Sequence, residues 1–278
     1  TGIYPKASLV IVTYNNADVT QQCLESIYRN TTYPSFEVIV VDNASTDSTR
    51  VYLSYAAAVY PNLRVILNQE NEGFARACNR GVAAAEGEYI VFLNNDVVVP
   101  RGWLGRLLRH LDDQAIGLVG PVTNFAGNEA KIETSYSNLE QMEDFAATYM
   151  EQHTGQIFDI RVPALFCAAT RRSVLDQVGL LDERFEIGLF EDDDLAHRVR
   201  LAGYRVVCAE DVFVHHVGQA AFNKLSKAEY QRIWDANRAR FEEKWQTTWQ
   251  QHVGRGAASH DKPDREGSSL PQEVQNGH

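Results

Sequence analysis

Through the first 120 residues, short runs of consecutive apolar positions alternate with longer stretches whose apolar positions recur every three or four residues. The runs are SLVIVT over 8–13, FEVIVVD over 36–42, LRVIL over 63–67 and EYIVFL over 88–93. Rich in Val and Ile and lacking strict alternation, they read as strands buried on both faces of a parallel sheet. The stretches between them read as helices. Asp18 with Gln21 three positions on offers a cap, and Leu24, Ile27 and Tyr28 follow as a stripe. Ser45-Thr46-Asp47 opens a second helix, and 73–85 forms a third, Ala-rich one. This rhythm predicts an α/β domain, a mostly parallel central sheet with helices on both faces.

The pattern continues less regularly. A strand is predicted over 116–121, a helix over 139–152 inside the polar stretch 124–155, and an apolar run over 163–170. Helices follow over 172–178 and 192–202, the latter stopped by Gly203, and then two short strands over 204–209 and 212–215. One domain is expected over 1–225, with halves meeting near 122–123. Ser226 and Glu229 form a capping box for a helix placed over 226–252, with Tyr230, Ile233, Trp234, Asn237, Phe241, Trp245 and Trp249 on one face. That face suits a membrane surface or the chain's own domain. The polar side mixes Glu242 and Glu243 with Arg238, Arg240 and Lys244, so packing on the domain is preferred. Residues 253–278 carry too few apolar side chains to order themselves and are predicted disordered.

Charge and cysteine usage narrow the classes. Lys plus Arg is 26 against 37 Asp plus Glu, a net charge of −11, which argues against a nucleic-acid partner. No apolar run approaches the roughly 20 residues of a membrane span. Cys23, Cys78, Cys167 and Cys208 are scattered without a CxxC, so reduced thiols and a cytoplasmic setting, with the inner face of a membrane as one station, are expected. The chain opens on Thr1 rather than Met, which fits a processed end or a domain of a larger protein.

Candidate chemistry sits where strands end, the place open α/β sheets bind ligands. Thr13-Tyr14-Asn15 follows the first strand, Asp42-Asn43 the second, 68–74 the third and Asn94-Asn95-Asp96 the fourth. Four polar strand ends in series describe a polar ligand lying across the sheet edge. Neither GxGxxG after the first strand nor GxxxxGK[ST] is present, so phosphate-cradling glycine loops are not in use. Asp42 suits either a ribose or base contact or a helix cap; Asp96 suits a divalent cation on a diphosphate or a turn. Glu191-Asp192-Asp193-Asp194 exceeds what a helix start needs, and one of the four suits a carboxylate base. His215-His216 after an apolar run suits a metal or phosphate contact as well as a structural role.

Taken together, SLVIVTYNN, VIVVDNASTDST, NEGFARACNRG, YIVFLNNDVVVP, FEDDDLAHRVRLAGY and VFVHHVG resemble family 2 glycosyltransferases of the GT-A fold, over roughly 7–222. The resemblance implies a nucleoside-diphosphate-sugar donor, a Mg²⁺ or Mn²⁺ cofactor, and a hydroxyl acceptor on a glycan, lipid-linked saccharide or protein. It implies that Thr13, Tyr14, Asn15, Asp42, Asn43, Asn71, Gly73, Phe74, Asn79, Asn94 and Asn95 serve the donor. Asp96 with His215 or His216 would serve the metal, and Asp192 beside Glu191 the proton transfer of an inverting displacement. Asn94 departs from the pattern: it stands where the DxD motif has its first acid, which leaves a weakened metal site. Arg198 or Arg200 is expected to keep Asp192 ionised against its acidic neighbours. Competing readings are a non-catalytic sugar-nucleotide-binding module and a sugar-nucleotide pyrophosphorylase. The pyrophosphorylase would want a Gly- and Arg-rich loop where TYNNAD stands.

Overall fold

Val and Ile at consecutive positions of β1 (Ala7–Thr13) are buried on both sides because the strand lies inside a sheet covered on both faces. The structure, a computed structural model, describes residues 4–218 and 226–256. Parallel pairing joins β1 to β2 (Phe36–Asp42) on one side and β4 (Tyr89–Asn94) on the other, and β3 (Leu63–Leu67) extends the β2 side. Beyond β4 the order runs through β8 (Cys167–Arg171), β6 (Ile116–Val122), β9 (Arg205–Phe213) and β7 (Ile157–Asp159). β8 runs antiparallel to both β4 and β6, while β6 and β9 are parallel.

Alternation along β1 sorts the helices. Leu9 and Ile11 pack with α1 (Ala17–Asn30), α2 (Thr49–Val59) and α4 (Trp103–Arg109) through Leu24, Leu53 and Leu104. Val10 faces the other layer, where α3 (Phe74–Ala84), α5 (Leu139–Gln152), α6 (Arg172–Val178) and α7 (Glu191–Leu201) lie. Gly81 lets α3 approach the sheet closely; a Cβ there would run into the Val10 side chain.

Several boundaries differ from the sequence reading. α1 starts one residue before Asp18, after Asn16 in a left-handed conformation, and the Asp18–Gln21 cap does not form. α2 starts at Thr49, leaving 45–48 as a loop in which Asp47 accepts from the Thr49 amide at 2.9 Å. The two strands expected over 204–215 are one, β9, because the intervening acids do not form a turn. Asp211 is buried and held by His110 at 2.6 Å and Arg109 at 3.1 Å; Glu210 is held by Arg255 at 2.6 Å. His215–His216 instead forms β10, antiparallel to β5 (Val97–Val98) in a two-stranded sheet of its own.

The C-terminal helix, α8 (Lys227–Trp245), ends seven residues before 252, with Gln246 left-handed at its end. It packs on the domain: Phe185, Phe190 and Phe241 form a small core with Leu189, Trp234, Trp245 and Trp249 around it. Residues 253–256 of the expected tail are in contact with the domain through Arg255, and 257–278 lie outside the described residues, as does the 219–225 end of the expected first domain. Among the described residues no helix is long and apolar enough to cross a membrane.

Candidate active site

A cleft of about 1080 Å³ opens at the carboxyl ends of β1, β2 and β4. One wall carries Tyr14, Asn43, Asn71 and Phe74, the floor Asn94, Asn95, Asp96 and His216, and the far wall 187–193 with side chains from α8 and beyond.

Amides build the first wall. Asn43 donates to Asn71 Oδ1 at 2.9 Å and to the Gly73 carbonyl at 3.0 Å, and accepts from Asn68 and the Glu72 amide. Gly73 adopts φ +82°, which a side chain would strain, and so turns the chain into α3. Asn15, also at positive φ, ties the loop after β1 to that after β2 by accepting from the Thr46 amide at 2.8 Å. Thr13 is buried against Thr20 and Asn95. Asp42 lies under the same loop, fully buried, accepting from Arg50 at 2.7 Å and the Ser45 amide at 3.1 Å. Its Oδ1 has no hydrogen-bond partner. Thr13, Asn15, Asp42 and Gly73 thus shape the wall from behind. Asn79 is elsewhere: it faces the 181–183 segment, donating to the Leu181 carbonyl at 2.9 Å and to Glu183 at 3.0 Å.

The floor owes its geometry to the small sheet. Pairing of β10 with β5 puts His216 opposite Val97, and the Val217 amide donates to the Asp96 carbonyl at 2.9 Å. His216 Nε2 then lies 3.3 Å from Asp96 Oδ1, an oxygen that is buried and has no aligned hydrogen bond. His216 Nδ1 donates to the Phe125 carbonyl at 3.2 Å, so Nε2 is the ring nitrogen turned to Asp96, and the ring stacks on Phe166 at 4.8 Å. His215 turns away: its Nδ1 meets the Tyr136 hydroxyl at 2.5 Å, and burial pushes its pKa down. Of the two candidates, His216 lines the cleft and His215 does not. Among the described residues no group of three or more His, Cys, Asp or Glu could hold an ion alone. One carboxylate oxygen and one imidazole nitrogen suit a cation that takes its remaining ligands from a bound diphosphate and water.

The acidic quartet at the start of α7 divides in two. Asp194 is fully buried and accepts from Arg198 at 2.9 Å, Lys244 at 2.5 Å and Trp245 Nε1 at 2.9 Å. Asp193 accepts from Trp249 Nε1 at 2.9 Å and faces His252 Nε2 at 3.3 Å. Among the described residues, neither Glu191 nor Asp192 forms an ion pair of this kind. Burial, with Asp192 next in effect, raises the Glu191 pKa well above the usual carboxylate range, and its Oε2 is buried without a partner. Burial, then Asp193, lifts Asp192 to about 7, and His252 pulls it partly back. The expected arginine counterweight is absent here: Arg198 goes to Asp194, and Arg200 donates to the Arg161 carbonyl.

A family model described as "Glycosyl transferase family 2" matches residues 8–179. The chain belongs to glycosyltransferase family 2. It is 28% identical over 236 residues to glycosyltransferase AglE of Haloferax volcanii, covering 83% of this chain and 72% of AglE. It is 27% identical over 237 residues to O-antigen biosynthesis protein RfbC of Myxococcus xanthus, covering 76% of this chain but 17% of RfbC. In fold it is similar to a mannosyltransferase of Pyrobaculum calidifontis solved with GDP-Man and Mn²⁺, with a TM-score of 0.61 and 21% identity over 87% of this chain and 72% of that one. The chain is thus a family 2 glycosyltransferase with a GT-A sheet.

The far wall of this glycosyltransferase joins the acidic quartet to Trp234 and Trp249, from the aromatic face that the sequence reading preferred to pack on the domain. Ile187, Leu189 and Phe190 all adopt positive φ just before Glu191, a strained run for side-chain-bearing residues. Asn237 of α8, fully buried, holds that run. Its amide donates to the carbonyls of Glu186, Gly188 and Leu189 at 3.0–3.2 Å, and its oxygen accepts from the Glu186 amide at 3.1 Å. Trp234, Arg238, Trp249, Gln251 and His252 complete the wall. The aromatic spacing after Ser226 was the available signal; its placement beside the acidic quartet was not legible from spacing.

Proposed function

We propose that the cleft transfers a sugar from a nucleoside diphosphate to a hydroxyl acceptor, with inversion and with a divalent cation, Mg²⁺ or Mn²⁺, on the diphosphate. The observation that carries this reading is one cleft with the Asp96–His216 pair at its floor and Asp192, its pKa lifted to about 7, in its far wall. Tyr14, Asn43, Asn71 and Phe74 hold the nucleotide portion beside the floor. Asp96 and His216 would hold the cation, which when bound would neutralise charge on the departing diphosphate. Asp192 accepts the acceptor's hydroxyl proton as that oxygen bonds to the anomeric carbon and the carbon–oxygen bond to the diphosphate breaks, its electron pair leaving with the diphosphate. A carboxylate titrating near neutrality is suited to this step: ionised in half or more of the molecules, yet more basic than a solvated one. The acceptor is a glycan, a lipid-linked saccharide or a protein.

Thermal unfolding with UDP, GDP, dTDP and CMP, each with and without Mn²⁺, tests the donor half of this reading. A diphosphate at 100 times its Kd stabilises by about 2.7 kcal/mol and should raise the midpoint by roughly 5–10 °C, only with the metal. Equal stabilisation without metal would remove the cation from the proposal, and no stabilisation by any nucleotide would remove the donor.

A further inference from the structure

The rings that close the far wall point to the chemistry of the acceptor. This inference rests on the transfer reading above, since it names what presents the hydroxyl to Asp192. Two of the four tryptophans line the cleft, Trp234 and Trp249, their rings 5.6 Å apart at 87° so that they form a corner. Phe190 lies against both, at 5.7 and 5.3 Å. Trp245 serves packing instead: it lies 4.3 Å from His197 and donates to Asp194. Trp249 donates to Asp193, the residue next to the base, so a group reaching Asp192 passes beside this corner.

The corner is not uniformly apolar. Arg238 sits over the Trp234 ring at 5.6 Å, Gln251 and His252 line the same wall, and Glu191 brings a buried, unpartnered Oε2 to it. Burial pushes the Glu191 carboxyl above the usual carboxylate range, and its unpartnered Oε2 is placed to share a hydrogen bond with a hydroxyl. A hydrocarbon chain here would strip water from Arg238, His252 and Asp193 without replacing it, which is costly. An extended peptide would look for free strand edges, but β1 and β4, which end at the cleft, are paired on both sides, and β5 and β10 are only two residues long. A pyranose meets both demands, with an apolar C–H face for the rings and a rim of hydroxyls for the polar groups.

We propose that Trp249, Trp234 and Phe190, with Gln251 and Glu191 at the rim, form a subsite for the pyranose ring whose hydroxyl is glycosylated. The acceptor is then a saccharide terminus, whatever carries it. Calorimetric titrations of the protein with Mn²⁺ and its stabilising nucleoside diphosphate would test this. The probes are the methyl glycosides of mannose, galactose, rhamnose and N-acetylglucosamine, farnesyl phosphate, and a blocked serine peptide. At least one glycoside should bind, and Trp249→Ala should weaken it about tenfold, near the upper range of one aromatic contact. Gln251→Ala, at an exposed position, should weaken it several-fold without affecting folding. Nucleotide stabilisation should be unchanged in both variants. Binding of farnesyl phosphate or the peptide alone, of no probe, or of a glycoside equally well by both variants would overturn the subsite while leaving the donor reading intact. Loss of nucleotide stabilisation in the unaltered protein would instead defeat the reading beneath it.

Discussion

Asp192 and its neighbours show how environment gives four adjacent carboxyl groups different work. Asp194 is fixed by two cations and an indole, Asp193 by an indole and an imidazole, and neither is free to move a proton. Asp192 accepts from the Asp193 amide at 2.9 Å, and burial, then Asp193, pushes its pKa up to about 7 against the pull of His252. A base must be ionised to act, and burial raises an acid's pKa, so transfer should fall as pH drops through about 7 and level off above it. Initial rates across neutral pH would check this. Asp192→Asn should abolish transfer by more than about 100-fold while nucleotide stabilisation persists. Retained transfer would move the base to another carboxylate.

At the level of elements, the strained turn and the helix that holds it form one unit. Three side-chain-bearing residues at positive φ would relax in a free loop; Asn237 satisfies four of its backbone groups from α8. Asn237→Ala leaves those groups to whatever water reaches them, and should cost about 2–3 kcal/mol of unfolding free energy, read from denaturant unfolding. It should also raise the acceptor KM of the folded fraction, because the turn sets where Phe190 and Glu191 stand. Lower stability with unchanged kinetic constants would show that the turn keeps its shape unaided. The small sheet of β5 and β10 works similarly for the floor: it is two residues long on each side, and together with Asn124, which bonds the His216 backbone twice, it brings His216 to Asp96.

Across the whole molecule, the cleft is assembled from both ends of the chain. The first wall and residues 94–96 of the floor lie between residues 14 and 96, whereas Trp249, Gln251 and His252 arrive from the segment behind α8. That segment is tied down by Arg161, which bonds the Gln250 carbonyl and His252, and by the Arg255–Glu210 fork. Truncation after Trp245 should therefore spare nucleotide stabilisation and eliminate measurable transfer, since Asp193 loses both its partners from this segment. Full activity in the shortened chain would make the segment dispensable.

How much was legible in the sequence follows from what each feature depends on. Buried strands, their polar ends and the helix periods are local patterns of side chains, and local patterns decide them; β2, α5 and α6 lie where the spacing put them. A charged pair inside a strand reads locally as a turn, and only the distant Arg109, His110 and Arg255 make 205–213 continuous. The same holds within the site. Asp96, Asp192 and a histidine pair were visible as residues, but choosing His216 over His215 required the β5–β10 pairing, and pairing is a long-range fact. The missing arginine counterweight, the clamp from Asn237 and the aromatic corner were likewise decided by packing. Hydrogen-bond geometry and burial arise only when residues far apart in sequence share a neighbourhood, and periodicity along the chain carries no record of that.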